Sequence, residues 1–156
     1  MPIIKYNRVE AYLGSLDEIP AGSKAAPAGP RFFLICGEAF LVRQAFNRLI
    51  DFLLRGASRE FGLDLVEGST TCMGDIIEQA TTFSFLSTQK VIAVKNAPLF
   101  SSKGPSSEIS YSKTDMDLLT DLIEKGIPEK HTLVMTSSTL DRRKKIFKTL
   151  QTHGVV

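Results

Sequence analysis

The sequence predicts an α/β domain in which a parallel sheet is flanked by helices on both faces. Short, uninterrupted apolar runs recur along the chain, and amphipathic stretches of helical length lie between them. A strand buried on both faces reads as a continuous apolar run, whereas a strand with one wet face alternates. Strand–helix–strand repeats need crossover connections, which make the sheet parallel and cover both of its sides. A third observation is the turn Gly37-Glu38-Ala39-Phe40-Leu41, which occupies a phosphate-loop position between the first apolar run and the first long helix.

The elements follow in order. A short helix is expected around Val9-Glu10-Ala11-Tyr12-Leu13, then a linker over 20–30, where prolines punctuate small residues. Phe32-Phe33-Leu34-Ile35-Cys36 is the first strand. A helix over 39–55 carries Val42, Phe46, Leu49, Ile50 and Leu53 on one face, with Gly56 as its C-cap. Residues 63–66 form the next strand, 73–82 a helix with Met73, Ile76, Ile77 and Ala80 inward, and 91–94 a third strand. The Ser-rich stretch 98–113 reads as a long surface insertion. Thr114 and Asp117 have capping-box spacing before a helix that ends at Gly126 and Pro128. A fourth strand over 132–135 and a last helix over 140–152 complete the pattern. Gly154-Val155-Val156 reads like the opening of another buried strand, so the domain over 31–156 is expected to be truncated there.

Bulk properties narrow the function classes. At 156 residues the chain supports one well-buried core. Its 43% apolar and 23% charged residues are those of a globular protein, and a net charge of +2 marks no whole-surface nucleic-acid or lipid binder. The two cysteines, Cys36 and Cys72, have no metal-ligand spacing, and Cys36 reads as a buried thiol. The N-terminus lacks a secretory hydrophobic stretch and no run reaches membrane-span length, so the expected location is the cytoplasm, with no membrane partner.

The phosphate-loop position lacks the chemistry. A working loop reads GxxxxGK[ST], in which glycines let backbone N–H groups curl round phosphates, lysine neutralises charge and the hydroxyl holds magnesium. Here Gly37 has no second glycine, and apolar residues, Arg43 and Gln44 stand where lysine and hydroxyl belong. Glu38 would set a carboxylate against a phosphate. Val94-Lys95-Asn96 carries no acidic pair for a metal-bound nucleotide, and no nucleophile is spaced to His131 or His153. No catalytic residue, metal ligand or cofactor-binding residue is assigned.

Two surface features remain. Phe85 and Leu86 are adjacent, flanked by Ser84, Ser87 and Thr88, at a helix-to-strand junction. Adjacent residues point to different sides, so at least one should be partly exposed. The pair is either a plug for an apolar pocket on a partner or a tuck beneath the sheet edge. Arg142, Arg143, Lys144, Lys145 and Lys148 form the densest positive run. By helical spacing Leu140, Ile146, Phe147 and Leu150 are buried there and Arg143 projects into that arc. The lysines form a solvated face, or else contact DNA phosphates or a neighbouring subunit.

Taken in order, four segments resemble the N-terminal domain of the delta subunit of bacterial DNA polymerase III, the clamp loader's wrench. They are Phe33-Leu34-Ile35-Cys36-Gly37-Glu38 with Phe40-Leu41, Ala80-Thr81-Thr82-Phe83-Ser84-Phe85-Leu86, Lys90-Val91-Ile92-Ala93-Val94-Lys95-Asn96, and Leu140-Asp141-Arg142-Arg143-Lys144-Lys145. The resemblance implies a P-loop NTPase (AAA+)-like fold with a decayed nucleotide site. It implies that Ser84, Phe85 and Leu86 enter a pocket of the sliding clamp (the beta subunit). It further implies a non-catalytic part of the DNA polymerase III holoenzyme, a nucleotidyltransferase complex, in which ATP work belongs to the gamma/tau and delta prime subunits and primer-template DNA passes through the loader. Members of that family continue into a small second domain and a helical collar; residues 1–30 receive no role. The competing readings are a divergent P-loop nucleotide-dependent enzyme and a stand-alone basic DNA-binding module.

Overall fold

The computed structural model describes residues 5–17, 31–54, 62–82, 90–99, 111–128, 130–138 and 140–156. Among these, four strands form one parallel sheet: β1 (Phe32–Cys36), β2 (Leu63–Glu67), β3 (Lys90–Lys95) and β4 (His131–Ser137), in the order β1-β4-β3-β2. The helices are α1 (Val9–Asp17, after a 3-10 turn at Tyr6–Arg8), α2 (Ala39–Leu53), α3 (Met73–Thr81), α4 (Lys113–Lys125) and α5 (Lys145–His153).

Strand side chains alternate between two cores, as the pleat requires. Phe32, Leu34, Ile92, Val94, Leu133 and Met135 face α3, α4 and α5, where Ile76, Leu119, Ile123, Phe147 and Leu150 meet them. Phe33, Val91, Ala93 and Val134 face the other way, against Phe46, Leu49 and Ile50 of α2 and Leu13 of α1. The continuous apolar runs of the sequence are thus two interleaved sets, one for each layer. The α1 helix shares this second core, and Arg48 of α2 pairs with its Glu10 at 3.1 Å.

Several boundaries differ from those expected. The C-cap of α2 is Leu54, and the expected cap Gly56 lies outside the described residues. The capping box of α4 is made by Ser112 and Asp115: the Ser112 hydroxyl accepts from Asp115 N at 3.1 Å, and Asp115 accepts from Ser112 N at 2.9 Å. Both Ser112 with Asp115 and Thr114 with Asp117 have the required spacing, and the upstream pair starts the helix. The last helix begins at Lys145, because Asp141 bonds the backbone of Arg143 and holds residues 141–144 in a turn. Leu140 is exposed as a result, and so is Arg143, which does not enter the apolar arc. The 98–113 stretch is anchored at its described ends by buried Leu99 and by Tyr111, whose hydroxyl donates to Gly68 O at 3.3 Å. The β2 strand lies at the sheet edge and leaves Leu65 56% exposed. Val155, in the segment expected to open another strand, forms a parallel bridge with Phe33 on the free side of β1.

Candidate functional site

The carboxyl ends of β1, β4 and β3 mark the crevice where open parallel sheets usually hold ligands. After Cys36 the chain turns through Gly37 at φ 145, a region that favours glycine. Glu38 is the N-cap of α2, with an extended backbone and no side-chain cap hydrogen bond. Its carbonyl accepts from Val42 N at 2.9 Å, so the helix begins at once, without a glycine-rich loop before it. Phe40 and Leu41, 59% and 38% exposed, stand in the first turn, and Arg43 and Gln44 follow where a lysine and a hydroxyl would be needed.

Beside this turn lies a cavity of about 300 Å³ between α1, α2 and the end of β1. Its lining includes Tyr12, Leu13, Ile35, Cys36, Leu41 and Val42, with Glu38 and Arg142 also bordering it. Burial pushes the Cys36 thiol up to about 12, so the group nearest the turn with nucleophilic potential stays protonated at neutral pH. A largely apolar wall bordered by one carboxylate and one guanidinium, with no phosphate-loop lysine, is not a triphosphate site.

At the ends of β2 and β3 the potential metal chemistry is also spent. Asn96, at φ 55, donates from its side chain to Glu67 Oε1 and Oε2 at 3.2 and 3.4 Å, and Ser69 Oγ donates to Oε1 at 2.7 Å. The backbone N–H of Asn96 is fixed on Thr136 Oγ1 at 3.0 Å. Lys95 turns its ammonium over the Phe46 ring, 4.9 Å from the centroid. Among the described residues no group of three or more His, Cys, Asp or Glu could hold a metal ion.

The opposite end of the sheet carries a different arrangement. The last turn of α3 points its carbonyls at the amino ends of β3 and β4. Lys90, buried, donates from Nζ to Gln79 O at 2.8 Å and Thr82 O at 3.1 Å, with Asp64 Oδ2 at 3.3 Å. His131, buried and in register with Lys90, sets Nδ1 2.8 Å from Ala80 O. Ser84, Phe85 and Leu86 fall in residues 83–89, outside the described residues.

The model of the family described as DNA polymerase III, delta subunit, matches residues 33–156. The chain belongs to that delta-subunit family. Two solved structures share its fold. One is the Bacillus subtilis DNA clamp loader delta protein, with a TM-score of 0.73 at 18% identity, covering 97% of this chain and 41% of that one. The other is a Thermotoga maritima DNA polymerase III gamma subunit-related protein, with a TM-score of 0.58 at 13% identity, covering 96% and 45%. The delta-family chain therefore spans less than half the length of either. No curated protein sequence matches it. The parallel sheet with helices on both faces is AAA+-like, as expected, and the family is a component of DNA polymerase III.

The delta-family residues of the basic run are all exposed but do not share one helical face. Arg142 and Arg143 lie in the turn before α5, Lys144 is its N-cap, and Lys145 and Lys148 are within it. Arg143 is engaged by Asp141, whose Oδ1 accepts from Arg143 N and Nε, both at 3.0 Å, while Oδ2 accepts from Nη2 at 3.1 Å. Sequence reasoning gave no role to Lys90 and His131, which fell just outside the strands expected over 91–94 and 132–135. Their role depends on where α3 ends in space, and nothing local reports that. Among the described residues no helix is long and apolar enough to cross a membrane.

Proposed function

We propose that this chain is a clamp-loader subunit domain that binds the ring-shaped DNA sliding clamp and helps open it during DNA replication, without hydrolysing ATP itself. Membership of the delta-subunit family carries the reading. The turn at Gly37–Leu41 supports the non-catalytic part: it keeps a strand–turn–helix scaffold and has lost the groups that hold phosphate. Clamp contact is assigned to Ser84, Phe85 and Leu86, an aromatic–aliphatic pair suited to an apolar pocket.

The ring is held shut by its own interfaces. A binder that fits an opened interface better than a closed one shifts the ring toward opening, by no more than its differential affinity. No covalent step is required of this subunit. ATP-driven rearrangement belongs to the gamma/tau and delta prime partners, with primer-template DNA held in the assembled loader in the cytoplasm. Arg142, Lys144, Lys145 and Lys148 are the candidates for contact with that DNA or with a neighbouring subunit.

Calorimetric titration with the matching clamp tests the assignment. The Phe85→Ala/Leu86→Ala double variant is expected to bind about 100-fold more weakly, in line with the loss of a central apolar anchor. Unchanged affinity would overturn the site.

A further inference from the structure

The cavity of about 300 Å³ beside the Gly37 turn lies outside the residues assigned to the clamp or to DNA, except for Arg142 at its border. Leu13 of α1, Phe33 of β1 and Leu49 of α2 form its floor. All three are buried core residues, so the wall is held by packing and need not be assembled when a ligand arrives. An apolar wall gives water no hydrogen-bond partners, whereas an apolar molecule of fitting size gains dispersion contacts there. Phe33 and Tyr12 add aromatic surface, against which another ring packs favourably.

The cavity is open to solvent. Leu41 and Leu140, two of the five large apolar side chains exposed among the described residues, both line it, so a ligand can enter without unfolding the chain. Glu38 and Arg142 border it with opposite charges. An anionic ligand therefore meets a carboxylate and a cationic one a guanidinium, and either ion loses hydration against the apolar wall. An uncharged ligand avoids both costs. Ligand pockets run from about 300 to 1,000 Å³, which puts this one at the small end and matches it to a one- or two-ring molecule.

We propose that this cavity is a binding site for a compact, uncharged aromatic molecule of bicyclic size, seated between α1, α2 and the end of β1. The site is independent of the clamp-binding reading and stands or falls without it. Cys36 reports on it directly, because the half-buried thiol is part of the cavity wall and a bound ligand covers it. Exposed Cys72 is not in that wall and serves as the internal control. A ligand that binds the folded chain alone also raises its melting temperature in proportion to occupancy.

The experiment titrates indole, as the probe, into the full chain at mildly alkaline pH. Iodoacetamide labelling of both cysteines is followed by peptide mass spectrometry, with thermal melts alongside. At ten times the dissociation constant read from the melts, indole is expected to slow Cys36 labelling about tenfold and to leave Cys72 labelling unchanged. Unchanged Cys36 labelling up to the solubility limit of indole overturns the proposal. Equal slowing at Cys72 also overturns it, because that effect is not confined to the cavity. Indole-3-acetate and tryptamine, the anionic and cationic counterparts, are expected to protect Cys36 less than indole at equal concentration. Equal or better protection by either ion overturns the uncharged class. Val42→Phe, which fills the cavity from α2, is expected to abolish protection by indole. Should that variant fail to fold, Leu41→Trp takes its place: it narrows the cavity from an exposed position and carries the same expectation. Full protection in the folded variant places indole elsewhere and overturns the site.

Discussion

The side-chain amide of Asn96 donates to both carboxylate oxygens of Glu67, at 3.2 and 3.4 Å, across the carboxyl ends of two adjacent strands. A neutral amide thus occupies the carboxylate that a metal-bound nucleotide would need there, while Glu38 opposes phosphate at the neighbouring turn. Magnesium-ATP is therefore expected to leave the melting temperature unchanged. A ligand at a hundredfold excess over its dissociation constant would stabilise the fold by about 2.7 kcal/mol, or roughly 5–10 °C in a domain of this size. A rise that grows with nucleotide concentration would restore the reading as a nucleotide-dependent enzyme.

Gly154 sits where no side chain fits. Its N–H donates to Leu150 O at 2.8 Å and the next residue, Val155, pairs with β1 in both directions, Val155 N to Phe32 O and Leu34 N to Val155 O, each at 2.9 Å. A methyl group on Gly154 would fall against the Phe32 carbonyl. Gly154→Ala is expected to cost about 1–3 kcal/mol through that overpacking. Gly14→Ala, in α1 with open space around it, is expected to stabilise by about 0.5–1 kcal/mol through helix propensity. Urea denaturation of the two variants reads the contrast; changes of the same sign would contradict the packing described for Gly154.

What the sequence could and could not disclose follows from range. The run Phe32-Phe33-Leu34 announced a strand covered on both faces, because every second residue needed a core and both sets were apolar. The lost phosphate site was legible for the same reason: glycine, lysine and hydroxyl must stand at fixed local offsets, and they do not. The box at Ser112 was misplaced by two residues because two overlapping pairs satisfy one spacing rule, and only tertiary packing selects between them. The start of α5 was misplaced because helical periodicity continues through Leu140, while an Asp141 hydrogen bond ends it locally. Lys90 and His131 act on carbonyls contributed by a different element, and no periodicity encodes that meeting.

The two cysteines should differ sharply in reactivity. Burial raises the Cys36 thiol from its ordinary 9.0 to about 12, whereas Cys72 is exposed with Sγ 3.1 Å from Asp75 Oδ2. Iodoacetamide at mildly alkaline pH is expected to label Cys72 first and Cys36 only slowly, with peptide mass spectrometry as the readout. The same shift predicts a stability effect of definite sign. Below pH 9 the Cys36 thiol is neutral in both folded and unfolded chains, so its contribution is fully present. As pH rises from 9 toward 12 the unfolded chain ionises first and that contribution is lost. Equal labelling rates for the two thiols would contradict the burial.

The basic turn before α5 sets local stability against an interaction elsewhere. Lys144 and Lys145 stand at the helix's positive end, where a cation is disfavoured and a carboxylate favoured. Asp141 relieves Lys144 only in part, because it is committed first to Arg143: the Arg143 side-chain hydrogen bond, then its backbone N–H, with a smaller contribution from the Lys144 charge, hold the Asp141 carboxyl down to about 2. Lys145→Glu is therefore expected to stabilise the fold by about 0.3–1 kcal/mol. If the run touches primer-template DNA, the same change weakens DNA binding by the assembled loader. Neutralising Lys144, Lys145 and Lys148 together then lowers the salt slope of that binding by roughly one unit for each phosphate that a lysine had neutralised. Thermal melts and salt-dependent DNA titrations of the loader separate the two effects, because they move in opposite directions only when the lysines have a partner. A more stable variant with an unchanged salt slope would make the run a solvated face and remove DNA binding from its role.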